Sequence, residues 1–112
     1  MAKVSIIMGI YNCASTLPEA IDSILSQTFS DWQLVLCDDG STDDTHAVAK
    51  GYLDNYPEKI ILQQNACNMG LNHTLNRCLE AATGEYVARM DGDDISLPTR
   101  LEKEVSFLDA HP

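Results

Sequence analysis

An α/β architecture, with a mostly parallel sheet and helices on both of its faces, is predicted by three observations. Four short apolar runs alternate with four helical patterns along the 112 residues, and such alternation builds βαβ units whose right-handed crossovers make the sheet parallel. The first of these runs is nearly continuous in apolar residues, which suits a strand covered on both sides. Each run is then followed by a polar cluster: "YN" at 11–12, "DDGS" at 38–41, "NACNMG" at 65–70 and "DGDD" at 91–94. Ligands of such sheets bind beyond the carboxyl ends of the strands, so all four clusters are expected on one rim of a Rossmann-like fold.

The first run, KVSIIMGI at 3–10, is rich in β-branched residues and is expected to be a strand. In STLPEAIDSILSQ, Leu17, Ala20, Ile21, Ile24 and Leu25 recur at helical spacing and form one apolar face. Thr16 with Glu19 three positions on makes a capping-box pattern, and Pro18 is tolerated in a first turn that needs no donor there. WQLVLC at 32–37 is the second strand, and Ser41 with Asp44 is a capping pair ahead of a helix whose inward face would be Val48, Ala49, Tyr52, Leu53 and Tyr56. Residues 59–63 form a third strand. Leu71, Leu75, Cys78, Leu79 and Ala82 stripe a third helix that Gly84 ends. A fourth strand, residues 85–90, is expected to be buried, and from Pro98 a last helix would turn Leu101, Val105 and Leu108 inward.

A 45% hydrophobic content with 21% charged residues belongs to an ordinary globular domain. Seven basic residues stand against seventeen acidic ones, a net charge of -10, which disfavours nucleic acid as a partner. An acidic protein that handles an anionic ligand needs a cation between the two. The cysteines, at 13, 37, 67 and 78, contain no C-x-x-C pair, and a reduced, cytoplasmic setting is expected. The N terminus is too short in apolar residues for a signal peptide or a membrane span.

Asp91 and Asp93 lie two apart, so an extended segment aims them the same way and a turn at Gly92 converges them further. Converging carboxylates repel unless compensated, and a hard divalent cation, Mn2+ or Mg2+, supplies the compensation. Taken alone, Asp-Gly-Asp-Asp is equally a solvated turn. A calcium loop is disfavoured by the missing D-x-D-x-D-G spacing. Asp38 and Asp39 follow the second strand, where a carboxylate can accept hydrogen bonds from a ribose or base, but Asp-Gly-Ser is also common turn chemistry. Tyr11 could stack on a base, although an isolated aromatic more often packs. Asn68 and Asn72 flank Gly70 at a helix start whose amides could face an anion. His73 beside them is better explained as a solvated helix residue than as a general base.

With these residues in place, the chain resembles the nucleotide-sugar-binding half of the inverting family 2 glycosyltransferases, which have the GT-A fold. The stretches that carry the resemblance are VSIIMGIYN, LPEAIDSILSQTFSDWQLVLCDDGSTDDT, NMGLNHTLNRCLEAATGEYVARMDGDD and LPTRLEKEVSFLD, which span nearly all of residues 3–109. The resemblance implies transfer of a sugar from a nucleoside diphosphate sugar, often a UDP-sugar, with inversion at the anomeric carbon. It implies that Tyr11 stacks on the base and Asp39 hydrogen-bonds it, and that Asp91 holds the ribose and approaches the metal. Asp93 would ligate the cation in this D-x-D motif, and Asn72 would lie near the donor. It also implies that residues 1–112 are the N-terminal donor-binding part of a larger domain serving polysaccharide biosynthesis. The general base and the surface for a glycan or lipid-linked acceptor would lie downstream, with no catalytic residue in this stretch. An expected position is the cytoplasm, with the inner face of a membrane open to the full-length protein.

Two rival folds fit less well. A receiver-type phosphoacceptor domain gathers its acids after the first and third strands, whereas here they follow the second and fourth. A redox dinucleotide fold needs a glycine-rich turn after the first strand, and "GIYNCAST" has no G-x-G-x-x-G. A non-catalytic nucleotide-binding module remains compatible with the same residues.

Overall fold

The computed structural model, which describes residues 2–111, contains four strands and four helices in strict alternation. They are β1 (Val4–Ile10), α1 (Leu17–Leu25), β2 (Trp32–Asp38), α2 (Thr45–Asn55), β3 (Ile60–Gln64), α3 (Leu71–Ala81), β4 (Tyr86–Arg89) and α4 (Arg100–Ala110). The strands form one sheet in the order β3-β2-β1-β4, and every pairing is parallel. β1 occupies the interior because its apolar run is covered on both faces, and it pairs with β2 from Val4 opposite Trp32 to Ile10 opposite Asp38.

Side chains alternate across a strand, and the two faces of the sheet are covered unequally. Ile6, Met8 and Ile10 of β1, with Leu34 and Leu36 of β2, pack against Leu17, Ala20, Ile21 and Ile24 of α1, Ala49 of α2, and Leu101 and Val105 of α4. The opposite face is covered by α3 alone, where Cys78 and Leu75 meet Ile7, Val35 and Cys37. Ile21 is fully enclosed, so truncating it to Ala is expected to cost about 2–5 kcal/mol through lost burial and the cavity left behind.

Four local expectations change in three dimensions. β4 is not a buried strand: it lies at the edge of the sheet, and Val87 on its uncovered side is 49% exposed. The stripe on α3 is rotated, so that Thr74 and Cys78 are buried while Leu71 and Leu79 are exposed. Thr74 tolerates burial because its hydroxyl donates to the Gly70 carbonyl and accepts from Asn65. Tyr56 and Leu108 lie beyond the packed turns of α2 and α4 and stay exposed. Neither expected cap forms: Thr16 turns its hydroxyl to the carbonyls of Gly92 and Cys13, and Ser41 bonds Asp38 instead of capping α2.

Candidate functional site

The four polar clusters do emerge on one rim. The ladder continues one residue past the strand ends, with Asp39 N–H donating to Ile10 O at 2.8 Å, Asn65 N–H to Asp38 O at 2.8 Å and Met90 N–H to Ile7 O at 3.0 Å. These bonds fix where each loop leaves the sheet. They also bring residues from distant parts of the chain side by side.

Asp38 and Asp39 are consecutive, so the strand aims them to opposite faces. Asp38 points toward α2, wholly buried, where its Oδ1 accepts from the Ser41 amide at 3.0 Å and the Ser41 hydroxyl at 2.6 Å. Ser41 Oγ in turn accepts from the Asn12 amide, and Asn12 Oδ1 accepts from the Thr42 amide, which ties the loop after β1 to the loop after β2. Asn12 adopts a left-handed φ of 47° to make this link, a conformation Asn tolerates better than most residues. The next turn is capped by Asp43, whose Oδ1 accepts from the amide and hydroxyl of Thr45. Those bonds hold the Asp43 carboxyl below its ordinary range.

Asp39 points the other way, into a bed of donors. Its Oδ1 accepts from the Met69 amide at 2.7 Å and from Asn65 Nδ2 at 2.9 Å, and its Oδ2 accepts from the Gly70 amide at 3.1 Å. Burial alone would raise the Asp39 pKa, but the Met69, Asn65 and Gly70 hydrogen bonds outweigh it and hold the group below the usual carboxylate range. The loop can come this close because of Gly40. Its φ is +73°, and a Cβ there would lie 2.5 Å from the Cys67 carbonyl carbon, a position only glycine fills without strain.

Above Asp39 opens a cavity of about 210 Å³ lined by Gly9, Ile10, Tyr11, Asn68, Leu71 and Thr74 as well as Asp39 and Gly70. A second, wider one of about 450 Å³ runs from Asn12, Cys13 and Thr16 to Asp91, Gly92 and Asp93. Gly9, Tyr11 and Leu71 line both, so the two form a continuous groove with the exposed Tyr11 and Leu71 at its waist. Burial pushes the Cys13 thiol up, toward its neutral form.

At the far end, carboxylate oxygens of Asp91, Asp93 and Asp94 all lie within 4.8 Å of one another. The turn is closed by the Asp94 amide donating to Asp91 O and by Asp94 Oδ2 accepting from the Asp91 amide, both at 3.0 Å. Thr16 Oγ1 donates to Gly92 O at 3.0 Å and docks the turn on the start of α1. Gly92 is buried there, where a Cβ would fall 2.7 Å from Cys13 Sγ. Arg89 is the single cationic side chain bonded to the cluster among the described residues, 3.4 Å from Asp91. Three convergent carboxylates offset by one guanidinium are a donor set that suits a hard divalent cation.

The rim thus gathers Tyr11, Asp39, Asp91 and Asp93 along one groove. Asn72 lies one residue into α3, exposed and outside the residues that line either cavity, while Asn68 occupies the wall instead. Sequence reasoning did not single out Leu71 as a wall residue or Asn65 as a partner of Asp39. The glycine at position 9 within an apolar strand was a signal of close approach that was open to notice.

A parallel four-stranded sheet with helices on both faces and a carboxylate cluster at its strand ends is the α/β arrangement of the GT-A fold. The family described as Glycosyl transferase family 2 matches residues 5–112, and the chain belongs to that family. It is 58% identical over 109 residues to "Putative glycosyltransferase EpsE" of Bacillus subtilis, covering 97% of this chain and 39% of that protein. It is 35% identical over 109 residues to the Escherichia coli UDP-Glc:alpha-D-GlcNAc-diphosphoundecaprenol beta-1,3-glucosyltransferase WfaP, covering 97% of this chain and 42% of that one. Among solved structures, Staphylococcus aureus TarS in complex with UDP superposes with a TM-score of 0.89 at 29% identity, over 97% of this chain and 32% of TarS 1-349. The Pyrobaculum calidifontis mannosyltransferase PcManGT, in complex with GDP-Man and Mn2+, gives 0.86 at 31% identity, over 95% of this chain and 32% of its own. The chain therefore spans about two fifths of the length of these two curated relatives.

Proposed function

We propose that residues 1–112 bind the donor of a metal-dependent inverting glycosyltransferase, a UDP-sugar, whose sugar passes to a hydroxyl of a glycan or lipid-linked acceptor. The observation that carries this reading is the single groove running from Asp39 past Tyr11 to Asp91 and Asp93. A base fits the narrow end, where Tyr11 and Leu71 offer apolar faces and Asp39 offers an acceptor. The diphosphate then falls toward the carboxylates. Asp91 and Asp93, with Asp94 beside them, would hold Mn2+ or Mg2+, and the ion would neutralise charge building on the leaving diphosphate. Asp91 would also meet the ribose.

The printed descriptions of the relatives support the parts separately. TarS has been solved in complex with UDP and with UDP-GlcNAc, PcManGT in complex with GDP-Man and Mn2+, and WfaP is described as acting on a diphosphoundecaprenol-linked sugar. A general base and an acceptor surface would come from outside residues 1–112, in keeping with the share of its relatives that this chain spans. No helix among the described residues is long and apolar enough to cross a membrane, and a cytoplasmic position, at the inner membrane face when the acceptor is lipid-linked, fits a nucleotide-sugar donor.

Calorimetric titration of UDP and GDP with and without Mn2+ tests the reading. UDP should bind more tightly than GDP and more tightly with metal than without. Binding that ignores both base and metal would remove it. Sugar transfer catalysed by residues 1–112 alone would refute the assignment of the base to another part of the protein.

A further inference from the structure

Behind Asp39 lies a polar chain whose members Asn65 and Arg77 are not among the residues that line the groove. Asn65, 4% exposed, spends its whole amide on neighbours: Nδ2 donates to Asp39 Oδ1 at 2.9 Å and to Thr74 Oγ1 at 3.1 Å, while Oδ1 accepts from Arg77 Nη1 at 2.7 Å. Arg77 also donates to the Gln64 carbonyl at 3.1 Å, which anchors its guanidinium. The charge on Arg77 decides which way the amide faces. A flipped Asn65 would set its oxygen against the Asp39 carboxylate and its NH2 against the guanidinium, both repulsive.

We propose that Asn65, oriented by Arg77, is a positioning residue that makes Asp39 select a base whose ring N3 carries a hydrogen, uracil over cytosine. The proposal rests on the reading of Asp39 as the base contact given above. An ionised carboxylate accepts only, with about four lone-pair directions. Asn65 and the Met69 amide occupy both directions on Oδ1, and the Gly70 amide occupies one on Oδ2. Asp39 lines the cavity, and the proposal gives the base the remaining direction on Oδ2. A uracil N3–H can donate into it, whereas the N3 of cytosine is an acceptor and is repelled. Without Asn65 the carboxylate could rotate about its χ2 or take up a proton, and either change blurs the choice of base.

The test titrates UDP and CDP, each with Mn2+, into the intact protein and into Asn65→Leu, Arg77→Met, Asp39→Ala and the Asn65→Leu/Asp39→Ala double variant. Asn65→Leu should weaken UDP about tenfold, the scale of one charge-assisted hydrogen bond, and weaken CDP less, so the preference for UDP shrinks. Arg77→Met should shift the preference the same way by a smaller factor. In the Asp39→Ala background Asn65→Leu should add nothing. Equal weakening of UDP and CDP, or a full further loss in that background, would show a merely structural role and overturn the proposal. Should Asn65→Leu fail to fold, Arg77→Met decides alone, since its side chain is only half-buried. A wild-type protein that prefers UDP no more than CDP overturns the base-contact reading together with this one, whereas a wild-type preference that survives both variants sinks only the positioning role.

Discussion

Asp39 and Asp93 belong to the same groove, yet the protein surrounds them in opposite ways. Asp39 is buried, with three hydrogen bonds from Met69, Asn65 and Gly70 setting its direction and its charge. Asp93 is exposed, in a turn whose bonds run mainly between Asp91 and Asp94 and which side chains tether to the fold through Thr16 and Arg89. The narrow end is built in advance by the polypeptide, and the acidic end leaves its repulsion to be relieved by a bound cation. Recognition at the first should depend on the integrity of the fold, and recognition at the second on metal concentration.

Replacing Asp93 with Ala probes the contrast most sharply. The fold should survive, because an exposed carboxylate makes little core contact, while Mn2+ should cease to strengthen UDP binding. In the full-length enzyme the rate should fall on the order of 10²-fold or more, the scale of losing one electrostatic stabiliser. Calorimetry with and without Mn2+ checks the first statement, and an unchanged metal dependence would take Asp93 out of the cation site.

Asp39→Ala should weaken UDP by a factor on the order of 10 to 100, as expected for a hydrogen bond to a charged acceptor, with the Mn2+ effect preserved. The same residue ties stability to pH. Its pKa is depressed in the fold, so the stabilisation it brings is present above the unfolded value and is lost as pH falls through the folded one. Acid unfolding followed by circular dichroism should therefore begin at higher pH for a variant lacking the Asn65 donor than for the wild type.

Gly40→Ala should destabilise the protein by about 1–3 kcal/mol, through a strained φ and a Cβ driven against the Cys67 backbone. Chemical denaturation reads this directly, and an unperturbed midpoint would mean that the loop can retreat from Asp39 without penalty. The mildest change is Thr16→Val, which removes the hydroxyl that holds Gly92. A loss of about 0.5–1.5 kcal/mol in thermal unfolding is expected, with weaker Mn2+ binding and UDP selectivity over CDP intact. If selectivity moved as well, the two ends of the groove would be coupled rather than separate.

Much of this was legible before any coordinates. Alternating apolar runs and helical stripes foretold four parallel strands, and the polar clusters behind them foretold a shared rim. The local details that failed have a common origin. Thr16 followed by Glu19 has the look of a cap, but a carbonyl 76 residues away competes for the hydroxyl and wins. Leu71 fits the inward stripe of α3, yet Thr74 can be buried with its partners satisfied, which turns Leu71 out over the groove. Asn72 stood as near the helix start as Asn68, and only the course of the loop puts Asn68 on the wall.

The sequence by itself therefore determined the order and type of the elements and the edge on which chemistry collects, because periodicity and parallel topology act through near neighbours along the chain. The family resemblance had implied Asp39 rather than Asp38, but only the tertiary structure gives the reason that Asp39 of the pair faces the groove. Strand alternation guarantees that they diverge, but which face carries α3 and its donors depends on contacts between residues far apart. Asn65 and Arg77 acquire their bond to each other, and Asn65 its hold on Asp39, only once the chain has closed.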